Sequence, residues 1–190
     1  PIPPSYHDPA TSVRSYQEGM AECELAEEMG FEWVSFSEHH YSGNRLTPNP
    51  AVMAAAVSQR CKKAKIALLG QLLQHHNPVR AAEEIGMLDN LTGGRVIFGV
   101  GRGYHTREVE TFGSPLIDQD ANRELFEEQV EIIFKSFNER AFSHQGKYYT
   151  LPPRVPYRGY ELTELTLVPP AAMIAAALPR RCESRSHAAA

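Results

Sequence analysis

A unit that occurs twice in the chain limits its fold more than any other feature: an apolar run of strand length, a His-His pair, an Asn-Pro pair, then a helical pattern. In the first copy Phe31 to Phe36 reads as the strand, His39-His40 follows, and Asn49-Pro50 opens a helix over 51–60. In the second, Lys65 to Leu73 is nearly continuous in apolar residues, as strands buried on both faces are, and His75-His76 with Asn77-Pro78 leads into a helix over 79–91. Asparagine accepts hydrogen bonds from the free N–H groups of a first helical turn, and proline fits there because its missing N–H has no helical partner in any case. Strands that alternate with helices make a parallel sheet, so tandem βα units predict an α/β fold.

The rest of the chain extends the pattern. Ser15 to Met29 predicts a helix with Met20, Leu25 and Met29 on or near one face, stopped by Gly30. Arg95 to Val100 reads as a third strand that ends in Gly101-Arg102-Gly103. A helix over about 120–138 carries Phe126, Val130, Ile133 and Phe137 as one apolar stripe. Phe142 to Tyr160 is rich in Tyr, Gly and Pro, which predicts an ordered excursion because disordered segments are poor in aromatics. The Ala-rich stretch from Pro169 has no apolar face and predicts a disordered tail, giving a domain over 1–168 and a tail over 169–190. With 190 residues the chain is shorter than the roughly 250 of a complete (β/α)8 barrel.

Charge and cysteine usage narrow the function classes. Lys and Arg number 19 and Asp and Glu 23, so 19 − 23 = −4 leaves no broad cationic field for binding nucleic acid through its backbone. The three cysteines, Cys23, Cys61 and Cys182, are odd in number and widely spaced, which predicts reduced thiols in a cytoplasmic protein rather than a disulfide or zinc framework. No apolar run approaches the roughly 20 residues of a membrane span. The start at Pro1, without Met or a basic leader, predicts no signal peptide and a trimmed or partial chain.

In a parallel α/β sheet, sites form beyond the carboxyl ends of the strands, which gathers Glu38, His39, His40, His75, His76 and Arg102 at one rim. A metal reading suits histidine and carboxylate ligands. However, neighbouring strand residues point to opposite sides, so each His-His pair sends one imidazole inward, and no metal ligand is assigned. A phosphate reading rests on Gly99 to Gly103. The dinucleotide fingerprint fails there, because Tyr104 stands where glycine is needed, yet glycine beside Arg102 still lets backbone and guanidinium approach an anion. The competing reading is a tight turn with a surface arginine. A third reading takes His39 as an acid/base group tuned or oriented by the adjacent Glu38. Phe112 to Leu116 lacks the glycine pattern of a nucleophile elbow.

Ala26 to Val34 leading to Ser37-Glu38-His39-His40, then His76 to Glu84, Met87 to Arg95, Phe98 to Gly103 and later Phe142 to Tyr149 together resemble the luciferase-like flavin monooxygenase family, the superfamily of bacterial luciferase. The resemblance runs in unbroken order over about residues 15–168. It implies a (β/α)8 barrel with reduced flavin at its carboxyl-end face. This chain would hold about strands 2–4 with their helices, a partial TIM-type barrel. It implies His39 as the catalytic histidine that assists the flavin's oxygen chemistry, and Glu38 as an acid beside it that also serves structure and dimer contacts. Leu69 and Gly70 would lie against the flavin ring, and Arg102 would reach toward its phosphate.

The implied cofactor is reduced FMN, or a deazaflavin as in related reductases. The implied partners are a small organic substrate, O2, a flavin reductase and a second copy in a homodimer, with neither nucleic acid nor membrane. The chain departs from the family pattern at both ends: the first strand is missing or reduced to Pro1 to Pro4, and the match stops at Pro169, where a fifth strand would begin. The expected function is flavin-dependent monooxygenation of a small organic substrate, in a truncated chain. The alternatives are a non-catalytic flavin-binding or dimerising remnant, a deazaflavin-dependent oxidoreductase, and a metal-dependent hydrolase on a related barrel.

Overall fold

Asp8 and Pro9 start the first helix ahead of the expected Ser15. A computed structural model describes residues 8–41, 46–114, 118–153 and 162–172. In it α1 spans Pro9–Glu28, with the Asp8 carboxylate accepting from the N–H groups of Ala10 and Thr11. The polar first turns hide this start from an apolar pattern, whereas an Asp-Pro cap marks it. The expected apolar face is also corrected. Met20 packs on the core with Cys23 and Ala26, while Leu25 and Met29 are exposed. At about 100° per residue, Leu25 and Met29 lie roughly 140° and 180° around the helix from Met20.

The three strands β1 (Trp33–Phe36), β2 (Lys65–Leu72) and β3 (Val96–Gly101) form one parallel sheet in the order β1-β2-β3. Phe36 pairs with Leu68 and Leu68 with Phe98. Helices α2 (Pro50–Ser58) and α3 (Pro78–Thr92) each begin at the expected Asn-Pro pair, and both asparagine side chains accept first-turn N–H groups. Gly93 closes α3 at φ 69°, a conformation only glycine adopts without cost. A six-residue helix α4 (Thr106–Thr111), absent from the sequence reading, precedes α5 (Gln119–Asn138).

Alternation decides what each face of the sheet meets. Val34, Ile66, Leu68, Val96 and Phe98 face the helices and join Ala54, Val57, Ile85, Leu88, Val130 and Ile133 in the core. The expected stripe of α5 is present, with Phe126 and Phe137 half-buried beside Val130 and Ile133. Trp33, Leu69 and Ile97 point the other way and remain 47%, 43% and 36% exposed. These are consecutive βα units of one parallel sheet, paired in chain order, with its second face only partly covered.

The excursion after α5 forms a short antiparallel hairpin, β4 (His144–Gln145) with β5 (Thr150–Leu151). Glu128 of α5 holds its turn, accepting from the N–H groups of Lys147, Tyr148 and Tyr149. Residues 162–172 return across α3, where Asn90 donates to the Pro169 carbonyl at 2.8 Å and Ala172 N–H donates to Asp89 at 2.9 Å. Pro1 to Pro4, Cys182 and the expected tail from residue 173 lie outside the described residues.

Candidate functional site

The segment that leaves β1 keeps a strand's alternation for three residues and so divides two neighbouring groups. Glu38 and His40 turn toward the residues that follow β2, and His39 turns toward α4. The Glu38 side chain is fully buried. His40 Nε2 lies 2.9 Å from its carboxylate, His75 Nδ1 3.2 Å and His76 Nε2 3.2 Å, and the Leu72 N–H donates to it at 2.9 Å. An ionised carboxylate only accepts, so each of these imidazole nitrogens presents an N–H to it. Four donors match the four lone-pair positions of the two oxygens.

Burial alone would push the Glu38 carboxyl up. The hydrogen bonds from His75, His76, His40 and the Leu72 N–H outweigh it and hold the group well below the usual carboxylate range. Phe112 covers the cluster, its ring 4.6 Å from His75 and 4.7 Å from His40.

One expectation fails here for a physical reason. Both His75 and His76 reach Glu38, although adjacent strand residues would diverge. The chain leaves β2 through a single 3-10 turn, Leu73–His75, and strand alternation no longer applies. Gln129 of α5, which the sequence did not single out, pins this turn by donating to the carbonyls of Leu73 and His76.

His39, His105 and Glu108 form the second group, with one donor atom of each within 4.8 Å of the others. Glu108 is only 2% exposed and accepts the His40 N–H at 3.3 Å. Nothing in the sequence pattern marks α4 or the burial of one acid on it. Glu38, His40 and His75 also meet the spacing for a metal ion, but the lone pairs of Glu38 are already matched by N–H donors without one.

Leu69, Gly70 and Arg102 lie at the same end of the sheet. The pairing of β2 with β3 shifts between Leu68 and Gln71, and the Leu69–Gly70 peptide bond within this irregularity is cis. A Cβ at Gly70 would stand 3.2 Å from backbone atoms of Gly99, Val100 and Gly101, and one at Gly99 would stand 2.8 Å from the Leu68 carbonyl. Gly99 therefore serves strand contact rather than the approach of an anion. The side chain of Leu69 stands out on the open face. Arg102 follows β3 half-buried, with no ion pair or hydrogen bond among the described residues.

Comparison with known proteins places the chain and its fold. The family model described as luciferase-like monooxygenase matches residues 3–183 and so extends past Pro169, beyond the expected end of the resemblance. An uncharacterized protein, y4wF, of Sinorhizobium fredii is 34% identical over 73% of this chain and 40% of its own length. The alkanal monooxygenase beta chain of Photorhabdus laumondii is 30% identical over 68% of this chain and 39% of its own. Among solved structures, the oxygenating constituent of 3,6-diketocamphane monooxygenase from Pseudomonas putida, in complex with FMN, superposes with a TM-score of 0.67 at 25% identity, covering 83% of this chain and 45% of that one. An F420-dependent secondary alcohol dehydrogenase shares the fold at a TM-score of 0.64 and 23% identity, over 72% of this chain and 42% of that one. The chain spans about two fifths of the length of the curated relatives it matches.

Proposed function

The chain belongs to the luciferase-like monooxygenase family, and from that premise we propose that it forms part of a flavin-dependent monooxygenase that oxidises a small organic substrate in the cytoplasm with reduced FMN and O2. The observation that carries this reading is the placement of His39, Leu69-Gly70 and Arg102 beyond or near the carboxyl ends of three adjacent parallel strands. The residues suit such a ligand. The exposed Leu69 side chain, beside Gly70, offers an apolar surface for a ring system, and the guanidinium of half-buried Arg102, without a partner among the described residues, suits a phosphate.

Reduced FMN, when bound, supplies the electrons that activate oxygen. The protein's part is to hold the ring against Leu69 and Gly70, to fix the phosphate at Arg102, and to give or take a proton at a ring nitrogen of His39. An imidazole suits that task because its ordinary pKa of about 6.5 lies near working pH. A flavin reductase would supply the reduced cofactor. Fluorescence titration with FMN and a deazaflavin tests the reading: binding of the deazaflavin alone would move the assignment to a deazaflavin-dependent oxidoreductase.

Arg102→Ala should weaken FMN about 10–100-fold and riboflavin less than about 3-fold, since a hydrogen bond to a charged group contributes about 1.5–3 kcal/mol and riboflavin lacks the phosphate. Equal losses for both ligands would remove the phosphate assignment.

The open elements favour a second copy of the chain as partner. Among the described residues, no further strand pairs with the outer edges of β1 and β3. Val52, Met87 and Leu91 are 66%, 62% and 60% exposed along a cavity of about 210 Å³ between α2 and α3. The chain should therefore self-associate in sedimentation velocity, and a monomer unchanged from micromolar to hundreds of micromolar concentration would count against it.

A further inference from the structure

We propose that Glu108 is a positioning residue for His39, and that its carboxylate fixes which ring nitrogen of His39 carries the proton and raises the basicity of the ring. This rests on the proton-handling role given to His39 above. Glu38, the acid next to His39 in sequence, is not available for it, because three other imidazoles and the Leu72 N–H occupy its lone pairs. Glu108 stands on the other side of the segment, within 4.8 Å of donor atoms of both His39 and His105.

The position of Glu108 is fixed from two directions. Its Oε1 accepts the His40 N–H at 3.3 Å, which ties the carboxylate to the backbone that carries His39. On α4, its neighbour Val109 is fully buried, and the turn at Gly103 runs so close that an added Cβ would meet Val109 at 3.1 Å. Among the described residues one backbone N–H donates to it, a thin shell for an acid only 2% exposed, since a buried carboxylate is costly unless several donors surround it. Among the described residues, the imidazoles of His39 and His105 are near enough to complete it through one bridging water. A carboxylate beside an imidazole favours its protonated form and holds the neutral ring with N–H toward the acid. Among the described residues, the other titratable groups on the segments that meet here are Glu38, His40 and Tyr41 after β1, His75 and His76 after β2, and Arg102, His105, Arg107 and Glu110 after β3 and on α4.

The test is a pH titration of the histidine ring signals by nuclear magnetic resonance in the 190-residue chain, with His39 assigned through His39→Gln. Glu108→Gln should lower the His39 midpoint by about one unit and change its tautomer pattern, as expected when an opposite charge within about 4–6 Å is removed. Glu83→Gln, on the exposed face of α3, should move neither. An unmoved His39 midpoint in folded Glu108→Gln overturns the proposal and leaves Glu108 a structural residue. If that variant does not fold, the carboxyl carbon of Glu108 in the unaltered chain should titrate in step with His39 and lose that step in His39→Gln. A Glu108 signal blind to His39 overturns the proposal in the same way. Neither measurement uses flavin or substrate, so failure here leaves the role of His39 in oxidation standing. A coupling present beside full turnover in His39→Ala would instead sink that role alone.

Discussion

His39→Ala should lower substrate oxidation by about 10²–10⁴-fold, the usual loss for a general acid or base, and leave the affinity for FMN within about 3-fold. The residues proposed to touch the flavin, Leu69, Gly70 and Arg102, sit on β2 and after β3, while His39 comes from the end of β1. The backbone at His39 is held by its own N–H, which donates to the Thr47 carbonyl at 3.2 Å, so truncation removes the ring without freeing the segment. The adjacent residue supplies a contrast. His40 belongs to the Glu38 cluster, and His40→Ala should lower stability first and rate only as a consequence. The measurement is single-turnover stopped-flow kinetics with reduced FMN beside a binding titration. Product formation in His39→Ala at the rate of the unaltered enzyme would end the assignment.

The tandem Asn-Pro pairs made most of the fold legible, because a cap and a proline locate a helix start whatever packs against it later. The sheet order followed, since strands separated by helices have few other ways to pair. Elements shorter than a helical period did not show. With six residues, α4 has too few positions to display an apolar stripe, and the 3-10 turn at Leu73–His75 looks like more strand. These two omissions account for the differences at the site. The turn lets His76 join His75 at Glu38, and α4 brings Glu108 to the group that contains His39. Sequence adjacency suggested that Glu38 would orient His39. The alternation that was used to limit the histidine pairs applies to Glu38 and His39 as well, and in the structure it sends them to different groups.

Removing the Glu38 carboxylate should cost more stability than any surface change in the chain. Glu38→Ala would leave three imidazole N–H groups and the Leu72 N–H facing a cavity. Breaking a buried charged network from one side typically costs about 3–5 kcal/mol, a large share of the roughly 5–15 kcal/mol that holds a domain folded. For a chain of this size that corresponds to about 6–20 °C in melting temperature. Glu38→Gln should recover little, because its amide NH2 would confront N–H donors. Acid identifies the cause. The folded state holds the Glu38 carboxyl well below its unfolded value of about 4.3, so below about pH 5 the unfolded chain binds more protons at this site. The stabilisation is complete above that value and is lost as pH falls through it toward the folded-state value. Denaturant melts of the chain and of Glu38→Ala should therefore differ most near pH 7 and converge as pH drops toward 3. A difference that stays constant over that range would mean that the loss comes from packing, and that the carboxylate's charge is not what the three histidines hold in place.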